Sequence, residues 1–163
     1  MNRIVILCVE DEAEVRAAVL RDLTPFKPLM RIEAAEDVAD ARLVLQECDK
    51  EQDEVGLILC DHLLPGTRGV DFLVELQKDP RYAPTRKVLI TGQAGQEDTI
   101  RAVNEAGLNH YIAKPWKVED LQAVVRKQLT DYVIQTRDDL IPFIASLDGK
   151  RLLDAIAAGK RGD

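Results

Sequence analysis

Acidic, hydroxyl and ammonium side chains stand at the ends of four short apolar runs. They are Glu10 and Asp11, then Asp61, Thr91 and Lys114. Three carboxylates placed close together repel one another and need a counter-charge, which a divalent cation or the lysine can supply. Mg²⁺ commonly joins carboxylates to a phosphate, and a carboxylate can act as a nucleophile toward phosphorus. These residues therefore predict phosphoryl transfer onto Asp61, promoted by positioning and charge neutralisation.

The elements that position these residues alternate between apolar runs and segments with helical spacing. The predicted strands are Arg3–Val9, Leu29–Ala35, Val55–Asp61, Lys87–Thr91 and His110–Ala113. The predicted helices are Glu12–Leu23, a segment from the N-cap Asp37 to Gln46, Val70–Gln77, Asp98–Glu105, and a long helix from Val118 onward. This alternation predicts an α/β fold with a doubly wound, five-stranded parallel sheet covered on both faces. Ligands bind such sheets beyond the carboxyl ends of the strands.

Composition excludes several classes of protein. The chain has 163 residues and a net charge of −7, which argues against a general nucleic-acid coat because phosphate backbones require a basic face. No apolar run approaches the ~20 residues that span a bilayer, and the first residues do not resemble a signal peptide. The three cysteines, Cys8, Cys48 and Cys60, are odd in number and show no C-x-x-C spacing. We therefore interpret them as core thiols and expect a cytoplasmic protein.

The motifs at the strand ends resemble the receiver domain of two-component response regulators over about residues 3–130. The motifs that carry the resemblance are Val9-Glu10-Asp11-Glu12, Leu59-Cys60-Asp61, Leu64-Pro65-Gly66, Thr91-Gly92 and Tyr111-Ile112-Ala113-Lys114-Pro115. Each motif alone is weak, but all of them in this order and at these separations are specific. The resemblance implies a receiver domain at residues 1–130 with the flavodoxin-like strand order 2-1-3-4-5. It also implies phosphorylation by a sensor histidine kinase or a phosphotransfer protein.

The resemblance assigns a role to each residue of the predicted site. Asp61 is expected to be the phosphoacceptor, and Mg²⁺ to be bound by Glu10, Asp11, Asp61 and the backbone carbonyl of Leu63. The resemblance also implies that Thr91 and Lys114 bind the phosphate, that Tyr111 changes rotamer with Thr91, and that the peptide bond before Pro115 is cis.

The sequence departs from the family pattern around the predicted metal and phosphate. Glu10 stands where many members have aspartate, and its extra methylene can change the metal geometry. Leu63 and Gln93 are expected to flank the phosphate and to govern the access of water to it. Leu63 cannot position a water molecule, whereas Gln93 has the amide to do so.

Three other side chains leave alternatives open. Trp116 is either an exposed anchor for a partner or a residue that packs over the start of the last receiver helix. His62 and His110 are interpreted as a loop residue and a surface or sheet-edge residue, because neither has a second histidine at the spacing of a zinc site.

Residues 131–163 are predicted to form a C-terminal helical extension. The apolar face of the long helix continues past residue 130, and Pro142 interrupts the pattern. A turn is predicted at Ser146–Gly149 and a short helix at Arg151–Ala158. An amphipathic helix needs a cover for its apolar face. We favour a homodimer formed through the last receiver helix and the extension; the alternative is that the extension folds back on its own chain.

The function predicted from the sequence is a non-enzymatic signalling protein. Phosphorylation of Asp61 is expected to switch a surface made by helix 4, strand 5, helix 5 and the extension, which then engages a downstream protein. One alternative is a Mg²⁺-dependent phosphohydrolase, although such enzymes need a second acid where this chain has Leu63. Another is a DNA-binding regulator that acts through the extension, which nevertheless lacks a dense basic face.

Overall fold

Five short apolar segments form a single parallel sheet in the computed structural model, which describes residues 2–92 and 95–159. The strands are β1 (Ile4–Val9), β2 (Arg31–Ala35), β3 (Glu54–Cys60), β4 (Arg86–Thr91) and β5 (His110–Ala113). Their order is β2-β1-β3-β4-β5, and each neighbouring pair is parallel. The predicted doubly wound sheet and its strand order are therefore confirmed.

Helices follow the strands and cover both faces of the sheet. They are α1 (Ala13–Asp22), α2 (Val38–Lys50), α3 (Gly69–Gln77), α4 (Gln96–Glu105), α5 (Val118–Thr136) and α6 (Gly149–Ala157), with 3₁₀ turns at Thr24–Phe26 and Ile141–Phe143. Within the described residues, none of these helices is both long and apolar enough to cross a membrane.

The ends of several helices differ by one to four residues from the sequence-based predictions, and two of these differences have a local cause. The side chain of Asp37 accepts a hydrogen bond from the Asp40 N–H at 2.8 Å and so caps α2 as predicted. The helix nevertheless runs on to Lys50, beyond the predicted end at Gln46, because the buried Cys48 continues its apolar face. Gly149, placed in a turn by the sequence pattern, begins α6, since the Asp148 carboxylate accepts from the Arg151 N–H at 3.2 Å.

Alternation along each strand divides the core into two layers. In β1, Val5, Leu7 and Val9 face α2 and α3, whereas Ile4, Ile6 and Cys8 face α1 and α5. All three cysteines are buried and free, and burial raises the pKa of the Cys8 thiol to about 12. These thiols occupy the core positions that the sequence predicts.

The C-terminal extension packs on its own chain. Leu140, Leu147 and Leu152 are buried in the same core layer as α1 and α5. The Asp148 N–H donates to Thr130 Oγ1 at 3.1 Å, which fixes the start of α6 against α5. The structure thus shows the fold-back alternative for the apolar face. It removes the argument by which we favoured a homodimer through the extension, since no second chain is needed to cover these residues.

Neighbouring leucines of α6 test this packing. Leu152 is fully buried, whereas Leu153 is 54% exposed. We expect Leu152→Ala to lower the free energy of unfolding by about 2–4 kcal/mol, because the substitution leaves a cavity. Leu153→Ala should change it by less than about 0.5 kcal/mol. Urea denaturation measures both values, and equal effects of the two substitutions would contradict the fold-back packing.

Candidate phosphoryl-acceptor site

The carboxyl ends of four adjacent strands carry the predicted site residues. Glu10 follows β1, Asp61 follows β3, Thr91 ends β4 and Lys114 follows β5, and these strands lie side by side in the sheet. The apolar strands stop where these polar residues begin, so the side chains gather at one edge. Glu10, Asp61 and Thr91 are buried there, Lys114 is half-buried, and Asp11 is exposed.

A single ammonium group joins two carboxylates at this edge. Lys114 Nζ donates to Glu10 Oε1 at 2.5 Å and to Asp61 Oδ2 at 2.9 Å. The second oxygen of each carboxylate accepts a backbone hydrogen bond: Glu10 Oε2 from the Glu12 N–H at 3.1 Å, and Asp61 Oδ1 from the His62 N–H at 2.7 Å. Four hydrogen bonds from three donor groups therefore hold the two carboxylates in fixed orientations.

Burial and hydrogen bonding have opposite effects on the pKa values of Glu10 and Lys114. Burial raises the pKa of Glu10, and the nearby Asp61 charge adds to the rise, although the hydrogen bonds from Lys114 and the Glu12 N–H oppose it. Burial on its own would lower the pKa of Lys114, but its hydrogen bonds to Glu10 and Asp61 outweigh that effect and the pKa is raised. The lysine is thus held in its charged form by the two carboxylates.

Asp11 completes a cluster that suits a divalent cation. Glu10, Asp11 and Asp61 each offer a carboxylate oxygen, and these three oxygens lie within 4.8 Å of one another. Lys114 can neutralise only one of the three charges, so an excess of negative charge is left at an open edge. Hard oxygen ligands with a net negative charge are the donor set that Mg²⁺ prefers. The residues present therefore fit this ion.

Removing one carboxylate tests the fit. We expect Asp11→Asn to weaken Mg²⁺ binding at least about tenfold, because it deletes a charged ligand from a set of three. Isothermal titration calorimetry measures the affinity. Glu12→Gln is the matched control, since it removes an exposed charge next to the cluster and keeps the backbone N–H that binds Glu10. If both variants lost the same affinity, general acidity rather than a ligand set would explain the binding.

Tyr111 lies beside Thr91. The half-buried Tyr111 hydroxyl donates to the backbone oxygen of Thr91 at 3.4 Å, across the neighbouring strands β4 and β5. The two residues that the resemblance pairs in a switch are thus in contact.

The residues after Lys114 connect the site to α1. The Lys114–Pro115 peptide bond is cis. Trp116 Nε1 donates to the carboxylate of the buried Asp22, at the end of α1, at 2.9 Å, and the backbone oxygen of Asp22 also accepts from Gln122 Nε2 at 2.9 Å. The half-buried Trp116 thus packs against its own chain at the end of α1, a contact that favours packing over a partner anchor among the two alternatives that the sequence left open.

His62 makes a contact with α4 that its position in the sequence does not indicate. His62 is buried, with Nε2 lying 3.1 Å from the Asp98 carboxylate of α4, although we interpreted it as an ordinary loop residue. Its partner is 36 residues away along the chain, so no local pattern reveals the contact. The side chain of Leu63 is exposed, and Gln93 lies outside the described residues.

The fold and the site together define an α/β domain with an acidic pocket at the carboxyl edge of its sheet. The family model of the response regulator receiver domain matches residues 6–126. The chain therefore belongs to the response regulator receiver domain family. Members of this family generally bind Mg²⁺ at an acidic pocket, and the carboxylate cluster of this chain occupies the corresponding edge.

Several known proteins are similar to this chain. It is 36% identical over 122 residues to the hydrogenase transcriptional regulatory protein HoxA of Cupriavidus necator, covering 75% of this chain and 23% of HoxA. It is 32% identical over 123 residues to the phosphate regulon transcriptional regulatory protein PhoB of Escherichia coli K12, covering 74% of this chain and 49% of PhoB. The chain thus spans about a quarter of the length of HoxA and about half of the length of PhoB.

The fold is also found in solved structures. The signal receiver domain of an HD domain-containing protein from Pseudomonas fluorescens Pf-5 superposes with a TM-score of 0.71 at 24% identity, covering 84% of this chain and 95% of that domain. At this level of identity the likeness supports the shared fold.

Proposed function

We propose that this protein is a phosphorylation-switched response regulator whose acceptor is Asp61. The observation that carries the proposal is the bridge of Lys114 between Glu10 and Asp61, beside the exposed carboxylate of Asp11. A buried carboxylate with a fixed orientation is a suitable nucleophile, and the adjacent ammonium can bind the phosphoryl group that it acquires.

The proposed donor is a phosphohistidine of a sensor histidine kinase or a phosphotransfer protein. An oxygen of Asp61 attacks the phosphorus, the P–N bond of the phosphohistidine breaks, and the leaving imidazole takes a proton from water. The product is an aspartyl phosphate that carries roughly two negative charges at pH 7. Lys114 is within reach of that charge because it already contacts the Asp61 carboxylate.

The remaining site residues have supporting roles in this proposal. Glu10, Asp11, Asp61 and the backbone carbonyl of Leu63 would hold Mg²⁺, which supplies neutralisation of the negative charge on the phosphoryl oxygens. Thr91 donates its hydroxyl to a phosphoryl oxygen. Its buried position at the end of β4 keeps it at the same edge of the sheet as Asp61.

The proposed output surface is formed by α4, β5 and α5 together with the extension. Thr91 precedes the loop into α4, and Tyr111 of β5 contacts Thr91, so a shift of Thr91 toward the phosphoryl group changes both elements. Two apolar side chains of α4, Ile100 and Val103, are more than half exposed. Exposed apolar residues on the elements that move are suited to a downstream protein partner.

The proposed donor reaches Asp61 over the groove between α1 and the loop after β5. This groove has a volume of about 450 Å³, and Lys114 lies in its wall with Val15, Ala18, Pro115 and Trp116. A donor histidine must approach within bonding distance of Asp61, so an apolar surface that borders Lys114 is suited to seat its protein. A cytoplasmic location is part of the proposal and agrees with the three free, buried cysteines.

Incubation with acetyl phosphate and Mg²⁺ tests the acceptor. We expect the mass of the protein to rise by one phosphoryl group and the Asp61→Asn variant to show no increase, because an amide oxygen is a poor nucleophile. Intact-protein mass spectrometry measures the product. Asp120→Asn, which changes an exposed acid in the first turn of α5, should be labelled like the wild type. Labelling of Asp61→Asn at the wild-type level would rule out Asp61 as the phosphoacceptor.

A further inference from the structure

His62 is fixed to the acceptor loop by each of its backbone polar atoms. Its N–H donates to Asp61 Oδ1 at 2.7 Å. Its carbonyl oxygen accepts from the Leu64 N–H at 3.0 Å and from the Gly69 N–H at 2.9 Å. Gly69 permits this close approach, because a Cβ at that position would lie 1.9 Å from the Asp61 carbonyl oxygen. The position of His62 therefore follows that of Asp61 and the start of α3.

The imidazole of His62 joins this loop to α4. The Val70 N–H points at Nδ1 at a distance of 3.4 Å, so Nδ1 is the acceptor and Nε2 carries the proton. Nε2 then donates to Asp98 Oδ2 at 3.1 Å. Asp98 lies in the first turn of α4, and its side chain is 47% exposed, whereas that of His62 is 7% exposed. One hydrogen bond thus links the residue next to the phosphoacceptor with the beginning of α4.

We propose that the His62–Asp98 hydrogen bond is a latch that holds α4 in its unphosphorylated arrangement, with His62 acting as a positioning residue. This inference rests on the proposed function. In the proposed phosphorylated state, Thr91 binds the phosphoryl group on Asp61, and the segment that follows β4 shifts toward the acceptor. The first turn of α4 begins at Gln96, five positions after Thr91, so Asp98 moves when that segment moves.

His62 cannot follow such a movement, because its backbone and ring are held by Asp61, Leu64 and the start of α3. The hydrogen bond to Asp98 is therefore lengthened or lost in the phosphorylated state. Space for the displacement exists in a cleft of about 700 Å³ between α3 and α4, which His62, Leu63, Arg68 and Asp98 help to line. An interaction made in one state alone biases the equilibrium toward that state.

Linkage then requires a reciprocal effect on the phosphoryl group. Suppose that the hydrogen bond favours the unphosphorylated arrangement over the phosphorylated one by a certain factor. Its removal then strengthens the binding of a phosphoryl mimic by that factor. The bond is half-exposed at Asp98, which limits the factor to about two- to fivefold. If the His62–Asp98 hydrogen bond had a purely structural role, its removal would instead lower the thermal stability of the protein and leave the affinity for the mimic unchanged.

The test is a titration with beryllofluoride in the presence of Mg²⁺, followed by fluorine NMR of the bound species. We expect Asp98→Ala to bind beryllofluoride about two- to fivefold more tightly than the wild type. Asp98→Asn keeps an acceptor oxygen for Nε2 and should remain close to the wild-type affinity. Glu97→Ala is the matched control, because it removes an exposed acid from the same turn of α4 and should also leave the affinity unchanged.

The possible results separate the latch from the proposed function. Failure of the wild type to bind beryllofluoride would overturn the acceptor role of Asp61. Wild-type binding together with an unchanged or weakened affinity in Asp98→Ala would overturn the latch alone. An equal gain in Asp98→Ala and Glu97→Ala would also overturn it, since loss of helix charge would then account for the effect.

Discussion

The ammonium of Lys114, held between the carboxylates of Glu10 and Asp61, is the interaction on which the site depends. Both carboxylates are buried, and a buried charge without a partner costs several kcal/mol. Lys114 is 104 residues from Glu10 and 53 from Asp61 along the chain. The sheet places β1, β3, β4 and β5 side by side and so brings these groups into contact, which ties the charge balance of the site to the strand order.

Residues next to Asp61 and Lys114 connect the site to two helices. His62, next to Asp61, contacts α4 through Asp98. Trp116, two positions after Lys114, contacts the end of α1 through Asp22. Each connection is a hydrogen bond between a buried or half-buried ring and a carboxylate on a helix. These two hydrogen bonds thus connect the site with helices that lie on opposite faces of the sheet.

The strands and the polar residues at their ends were predictable because apolar runs stop abruptly there. Contacts that depend on distant segments were not. The bond between His62 and Asp98 has no local signal, and the burial of Leu152 depends on the path taken by the extension. Lys87 lies in β4 and is fully buried, with its ammonium donating to two backbone carbonyls, and burial lowers its pKa to about 8. A lysine beside an apolar run gives no indication of such burial.

A crystal structure of the protein with Mg²⁺ and beryllofluoride tests the central claim most directly. We expect beryllium to be bonded to a carboxylate oxygen of Asp61, Lys114 Nζ to lie about 3 Å from a fluorine atom, and the metal ion to be bound by Asp11. Beryllofluoride bound away from Asp61, or Lys114 remaining on Glu10 without contact to any fluorine atom, would contradict the claim.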